Sequence, residues 1–144
     1  MATDFTRIIN GKLPARFVWR DDRCVAFLDS APLTDGHVLV VPIQEVDKWT
    51  DASEELLAHL WRVVSIIGKA QKQAFPCERI GVMLVGYEIP HLHIHTFPTT
   101  SISDFDMRGK DPSPDPVRLD DHAIALRKAL MDAGHTAQAG DITG

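Results

Sequence analysis

Apolar and polar positions change their period several times along this chain, and each change marks an element. Asp4 to Asn10 carries Phe5, Ile8 and Ile9 on one side and stops at Gly11, which predicts a short opening helix. Phe17–Trp19 and Cys24–Leu28 are β-type runs on either side of the charged turn Arg20-Asp21-Asp22-Arg23, the pattern of a hairpin. Asp29 to Gly36 is rich in turn residues and reads as a loop. His37–Val41 is a continuous aliphatic run closed by Pro42, as expected of a central strand covered on both faces.

Asp51 to Ala74 is the strongest helical signal. Leu57, Leu60, Trp61, Val64 and Ile67 recur at spacings of three and four, Asp51 and Glu54 have the spacing of a capping box, and His59 falls off the stripe toward water. Ile80–Val85 predicts a further strand, and the turn Gly86–Pro90 joins it antiparallel to the run His91–Phe97. A polar stretch from Thr99 to Pro116 follows. A second amphipathic helix lies within Pro114–Met131, with Val117, Ile124, Leu126 and Leu130 among its apolar positions. Residues 134–144 read as a flexible tail, which leaves 1–133 as a single domain.

At 144 residues the chain is long enough to bury a full core. Its net charge of −5, with both signs mixed along the sequence, excludes a broad basic face for nucleic acid but admits a small anion held by local groups. No apolar run reaches the roughly 18 residues of a membrane span, and MATDFTRIIN lacks a secretory core. Cys24 and Cys77 stand alone and read as inert thiols, so a cytoplasmic protein is expected.

The candidate chemistry centres on Pro90–Pro98, PHLHIHTFP. In a strand, alternation stacks His91, His93 and His95 on one face and sends Leu92 and Ile94 into an apolar layer behind. The motif alone admits three readings: a solvated polar face, a tri-imidazole zinc site, or a nucleophilic imidazole flanked by two others. His37, at the mouth of its strand just after Gly36, gains interest from that stack.

Three segments resemble the histidine-triad (HIT) family of nucleotidyl hydrolases and transferases: PHLHIHTFP, DGHVLVVP, and FTRIINGKLPA followed by DDRCVAFLD. The resemblance covers roughly residues 4 to 98 and implies an α+β, HIT-like fold, a five-stranded antiparallel sheet with the long helix packed on it; the pattern above adds a C-terminal helix. It implies that His93 is the nucleophile and forms a covalent nucleotidyl-imidazole, that His91 and His95 flank it, and that His37 closes the constellation. It also implies that Asp29 binds the ribose hydroxyls and that Phe5, Ile8 and Phe27 wall a base pocket, with Leu28 beside them. A purine nucleotide substrate, a homodimer with contacts around Trp61 and no cofactor follow from the same source.

Zinc-containing relatives carry Cys-x-x-Cys near the amino terminus and a later histidine. Thr3, Thr6 and Glu45 stand at those positions, so neither a structural zinc nor a catalytic metal is expected. The turn GYEIP places Glu88, with Tyr87 beside it, where the family commonly has a hydroxyl side chain. Glu88 reads as a selector of cationic or amine leaving groups, as a proton donor, or as a turn residue facing water. Two functions follow: hydrolysis or transfer on a nucleoside 5′-phosphoramidate or phosphoanhydride, and nucleotide binding or scaffolding with little turnover.

Overall fold

The aliphatic runs form the middle of the fold. In the computed structural model, which describes residues 2–140, β1 (Phe17–Arg20), β2 (Cys24–Leu28), β3 (Val38–Pro42), β4 (Arg79–Met83) and β5 (Ile94–Thr99) make one antiparallel sheet. Its order is β1-β2-β3-β5-β4. Every residue of β2, β3 and β5 is buried, because both faces of the sheet are covered. Val38 and Val40 point to one core with Leu92, Ile94 and the helix α2 (Glu54–Ala74). Leu39 and Val41 point to the other, with Phe5 from the helix α1 (Asp4–Ile9), Phe17 and Phe27. The strand period of two separates these sets.

Several expectations are corrected in detail. Helix α2 begins at Glu54 with Ser53 as its cap, accepting the Leu56 N–H, while Asp51 ends a separate 3-10 turn, Trp49–Asp51. Its buried row is Leu56, Leu60, Val63, Val64, Ile67, Ala70 and Gln71, so the stripe is rotated away from Trp61, which is 46% exposed. His59 is no surface histidine: its Nε2 lies 2.8 Å from Asp21 Oδ2 and ties α2 to the β1–β2 turn. In the helix α3 (Pro116–Asp132) the buried row is Leu119, Ala123, Leu126 and Leu130, and Val117 and Ile124 face outward. Ladder pairing of β5 starts only at Ile94, while the Leu92 N–H donates to Val46 O at 2.7 Å, so His91 and His93 lie on the approach to the strand. Within the stretch expected as a tail, Thr136–Ala139 form a short helix, α4, and Ala139 is buried in the α2-side core; residues 141–144 lie outside the described residues.

Two features aim the entry of β3. Gly36 turns the chain at φ +83°, and a Cβ there would sit 2.4 Å from the Phe75 ring, so the residue before His37 has to be glycine. Gln71, fully buried on α2, donates from Nε2 to both Gly36 O and Thr96 O at 2.8 Å and accepts from the Thr96 hydroxyl at 2.9 Å. One side chain thus bonds the backbone neighbours of His37 and His95.

Gln71→Leu keeps the volume but removes three buried hydrogen bonds, to the Gly36 and Thr96 carbonyls and from the Thr96 hydroxyl. It is expected to cost about 3 kcal/mol, read as a lower urea midpoint at unchanged slope. An unchanged midpoint would show that these bonds contribute nothing to stability.

Candidate active site

Between α1 and the face of the sheet that it covers lies a pocket of about 740 Å³. Phe5, Ile8, Phe27 and Leu28 line it, with Asp29, Glu88, His93 and His95. The Phe5 ring stands edge-on to Phe27 at 5.6 Å and to His93 at 4.9 Å between centroids. The residues expected to form a base pocket and the histidine pair therefore share one cavity. Tyr87, by contrast, is 96% exposed.

The histidines are buried, and their hydrogen bonds assign the position of each proton. The Leu33 N–H donates to His37 Nδ1 at 2.9 Å, so the proton of neutral His37 sits on Nε2 and is donated to His95 Nδ1 at 3.0 Å. His95 must then carry its own proton on Nε2, a buried atom with no hydrogen-bond partner among the described residues, on the wall of the pocket. His93 is held the opposite way. Its Nδ1–H donates to His91 O at 2.8 Å, which leaves the lone pair on Nε2. A bare imidazole nitrogen and an imidazole N–H are thus presented by adjacent rings, whose centroids lie 5.0 Å apart.

His91 and His37 are brought to the constellation but do not line the cavity. His91 donates from Nε2 to Pro42 O at 2.8 Å and accepts the Thr3 hydroxyl on Nδ1 at 2.7 Å. It supplies the carbonyl that orients His93, while His37 orients His95. Burial is the main cause that holds these rings neutral: the pKa of His37 is pushed down to about 3, that of His95 to about 4, and that of His91 downward. The carboxylate of Asp29 opposes the shift at His37 and His95 without cancelling it.

Thr3, Thr6 and Glu45 are bonded to one another. The Thr3 N–H and the Thr6 hydroxyl donate to Glu45 Oε1 at 2.8 and 2.6 Å, and these bonds hold the Glu45 carboxyl below its usual range. Two neutral hydroxyls and one engaged carboxylate do not fit the thiolate, imidazole and carboxylate set that zinc takes. Asp29, His37 and His95 also come together, each offering an atom within 4.8 Å of the others. There the two imidazoles bond to each other, and Asp29 Oδ2 faces the Lys110 ammonium at 2.9 Å. That is an ion pair beside a hydrogen-bonded relay, in which the Nδ1 lone pairs of His37 and His95 already accept hydrogen bonds.

Lys110 and Thr3 are the site residues that sequence reasoning missed. Lys110 approaches Glu88 Oε2 at 3.5 Å as well as Asp29, and nothing in the polar stretch around it signals that placement. Thr3 was visible only as the occupant of a lost ligand position; its bond to His91 joins residues 88 apart in sequence. Both cysteines are unpaired, Cys24 buried and Cys77 half-buried.

Residues 10–102 match the HIT domain. An uncharacterized HIT-like protein of Saccharolobus solfataricus is 34% identical over 102 residues, which cover 67% of this chain and 73% of that one. Among solved structures, a Hit-like protein involved in cell-cycle regulation from Bartonella henselae superposes with a TM-score of 0.78 at 29% identity, covering 88% of this chain and 95% of its own. A hypothetical histidine triad nucleotide-binding protein of Sulfolobus tokodaii gives a TM-score of 0.79 at 26% identity over 98% and 99% of the two chains.

The depressed histidines make stability depend on pH. Above the ordinary value of 6.5, neither the folded nor the unfolded chain holds these protons. Below it, the unfolded chain binds protons that the native site refuses until about pH 4 for His95 and about 3 for His37, so stability falls as pH falls through that window. Thermal unfolding between pH 6.5 and roughly 5, above the carboxylate range, should show the decline, with a shallower slope in His37→Asn. An equal slope in the variant would contradict a neutral buried His37.

Proposed function

The chain belongs to the HIT-domain family, and on that footing we propose that it is a nucleotide hydrolase or transferase acting on a nucleoside 5′-phosphoramidate or phosphoanhydride. His93 Nε2 attacks the α-phosphorus: a phosphorus–nitrogen bond forms, the bond to the leaving group breaks, and a nucleotidyl-His93 intermediate results. The N–H of His95 hydrogen-bonds the charge that develops at the phosphoryl oxygen and gives its proton to the leaving-group oxygen or nitrogen as that bond breaks; the attacking water returns a proton to His95 in the second step. Water or another acceptor then displaces His93 and releases the nucleotide. The observation that carries this reading is that His93 and His95 line one cavity with hydrogen bonds on their Nδ1 atoms that assign a free lone pair to one ring and a free N–H to the other.

In this reading Asp29 binds the ribose hydroxyls with one oxygen while the other keeps the Ala31 N–H at 2.9 Å. Phe5, Ile8, Phe27 and Leu28 hold a purine, and the attack needs no metal or cofactor. No described helix is long and apolar enough to cross a membrane, and two unpaired cysteines agree with a cytoplasmic setting. The homodimer belongs to the same reading: β4 is an edge strand, and Trp61 offers an exposed indole. Sedimentation at twice the 16.0 kDa of one chain would support it, and the monomer mass would overturn it. The second reading, nucleotide binding or scaffolding with little turnover, is favoured by one feature, the Glu88 carboxylate beside the expected phosphate position.

AMP release from adenosine 5′-phosphoramidate is expected to persist in EDTA and to fall by about a thousandfold or more in His93→Ala. Turnover that survives in the variant would remove His93 as nucleophile. AMP binding without release by the wild type would favour the scaffold.

A further inference from the structure

The pocket assigned to the nucleotide is acidic. Asp4, Asp29, Glu88 and Asp120 line it, against Arg16 and Lys110 as its cations among the described residues. His37 and His95 are held neutral by burial and add no positive charge to offset the acids. A phosphate brought beside Asp29 and Glu88 would be repelled unless a cation stood with it. Arg16 is already engaged, its Nε donating to Asp120 Oδ1 at 2.7 Å and its Nη2 to Pro116 O at 3.3 Å.

Lys110 stands at the other end, with the histidines. Its Nζ is 2.9 Å from Asp29 Oδ2 and 3.5 Å from Glu88 Oε2, and the same Asp29 oxygen is 4.0 Å from His95 Nδ1. The ammonium is delivered by a segment beyond the matched residues 10–102, and that segment is anchored on both sides. Before Lys110, the Phe105 ring packs on Phe97 at 5.1 Å and over Gly81, where a Cβ would come within 2.6 Å of it. After Lys110, the Asp111 N–H donates to Pro32 O at 3.0 Å. The side chain is only 18% exposed, so it is built into the site rather than waving over it.

We propose that Lys110 is the phosphate-binding cation of this pocket: when ribose takes Asp29, the ammonium shifts to the non-bridging phosphate oxygens and makes the site select nucleoside 5′-phosphoryl compounds over nucleosides. This rests on the nucleotide reading given above. Glu88 then acts as the counter-charge that keeps the ammonium at the mouth, which accounts for a carboxylate at that position.

Calorimetric titration of the intact chain with adenosine and with AMP tests it. The wild type should bind AMP more tightly than adenosine by about tenfold or more, the scale of one hydrogen-bonded charge pair. Lys110→Met should bring the AMP-to-adenosine affinity ratio close to one, and Lys110→Arg should restore part of it. Glu88→Gln should widen the ratio, since it frees the ammonium and removes a competing anion. An unchanged ratio in Lys110→Met overturns the proposal; if that variant is too damaged to bind adenosine, an unchanged or narrowed ratio in Glu88→Gln overturns it instead. Failure of the catalytic reading looks different: no AMP release by the wild type, with the binding ratios intact.

Discussion

A neutral imidazole carries one donor and one acceptor, and burying four of them around one pocket leaves none free to choose its tautomer. Each ring here answers to a fixed backbone group: His37 to the Leu33 N–H, His91 to the Pro42 carbonyl, His93 to the His91 carbonyl. His95 answers to His37. The consequence reaches the pocket as a lone pair on one ring and an N–H on the next. The sheet exists, for this purpose, to hold β3 and β5 in the register that pairs Leu39 with His95, and Gln71 fastens the two strands from the helix side.

Charge is arranged around that core with the opposite logic. His37, His91 and His95 are kept neutral by burial, while the carboxylates of buried Asp29 and half-exposed Glu88 are matched by a single ammonium at the histidine end. Where zinc-containing relatives place metal ligands, this chain has a small polar cluster of Thr3, Thr6 and Glu45, and the Thr3 hydroxyl completes the bonding of His91. Hydrogen bonds thus orient His91, and through its carbonyl His93, from residues at the start of the chain.

The five strands and the long helix were legible because their signals are local, continuous aliphatic runs and a three-four repeat, although the alternating histidine motif overran the start of β5 at Ile94. The phase of α2 was not. Leu56 and Leu57 are adjacent, so the stripe could be started on either, and Asp51 and Ser53 both make plausible caps until packing selects one. His59 looked solvated because its partner, Asp21, is 38 residues away. The histidines and the apolar pocket residues were readable as a set, but not that His91 and His37 stand behind the pair facing the cavity. Lys110 was beyond reach, since its place depends on Phe105 meeting Phe97 and Gly81 across the sheet edge.

The most direct test of the account reads the imidazole protons themselves. Long-range proton–nitrogen NMR spectra of the histidine-labelled protein, at about pH 8 where a reference imidazole is neutral, distinguish the two tautomers of each ring. The account predicts His93 with its proton on Nδ1, and His37, His91 and His95 with theirs on Nε2. A His93 proton on Nε2, or a ring that averages between tautomers, would contradict the claim that the fold presents a ready nucleophile.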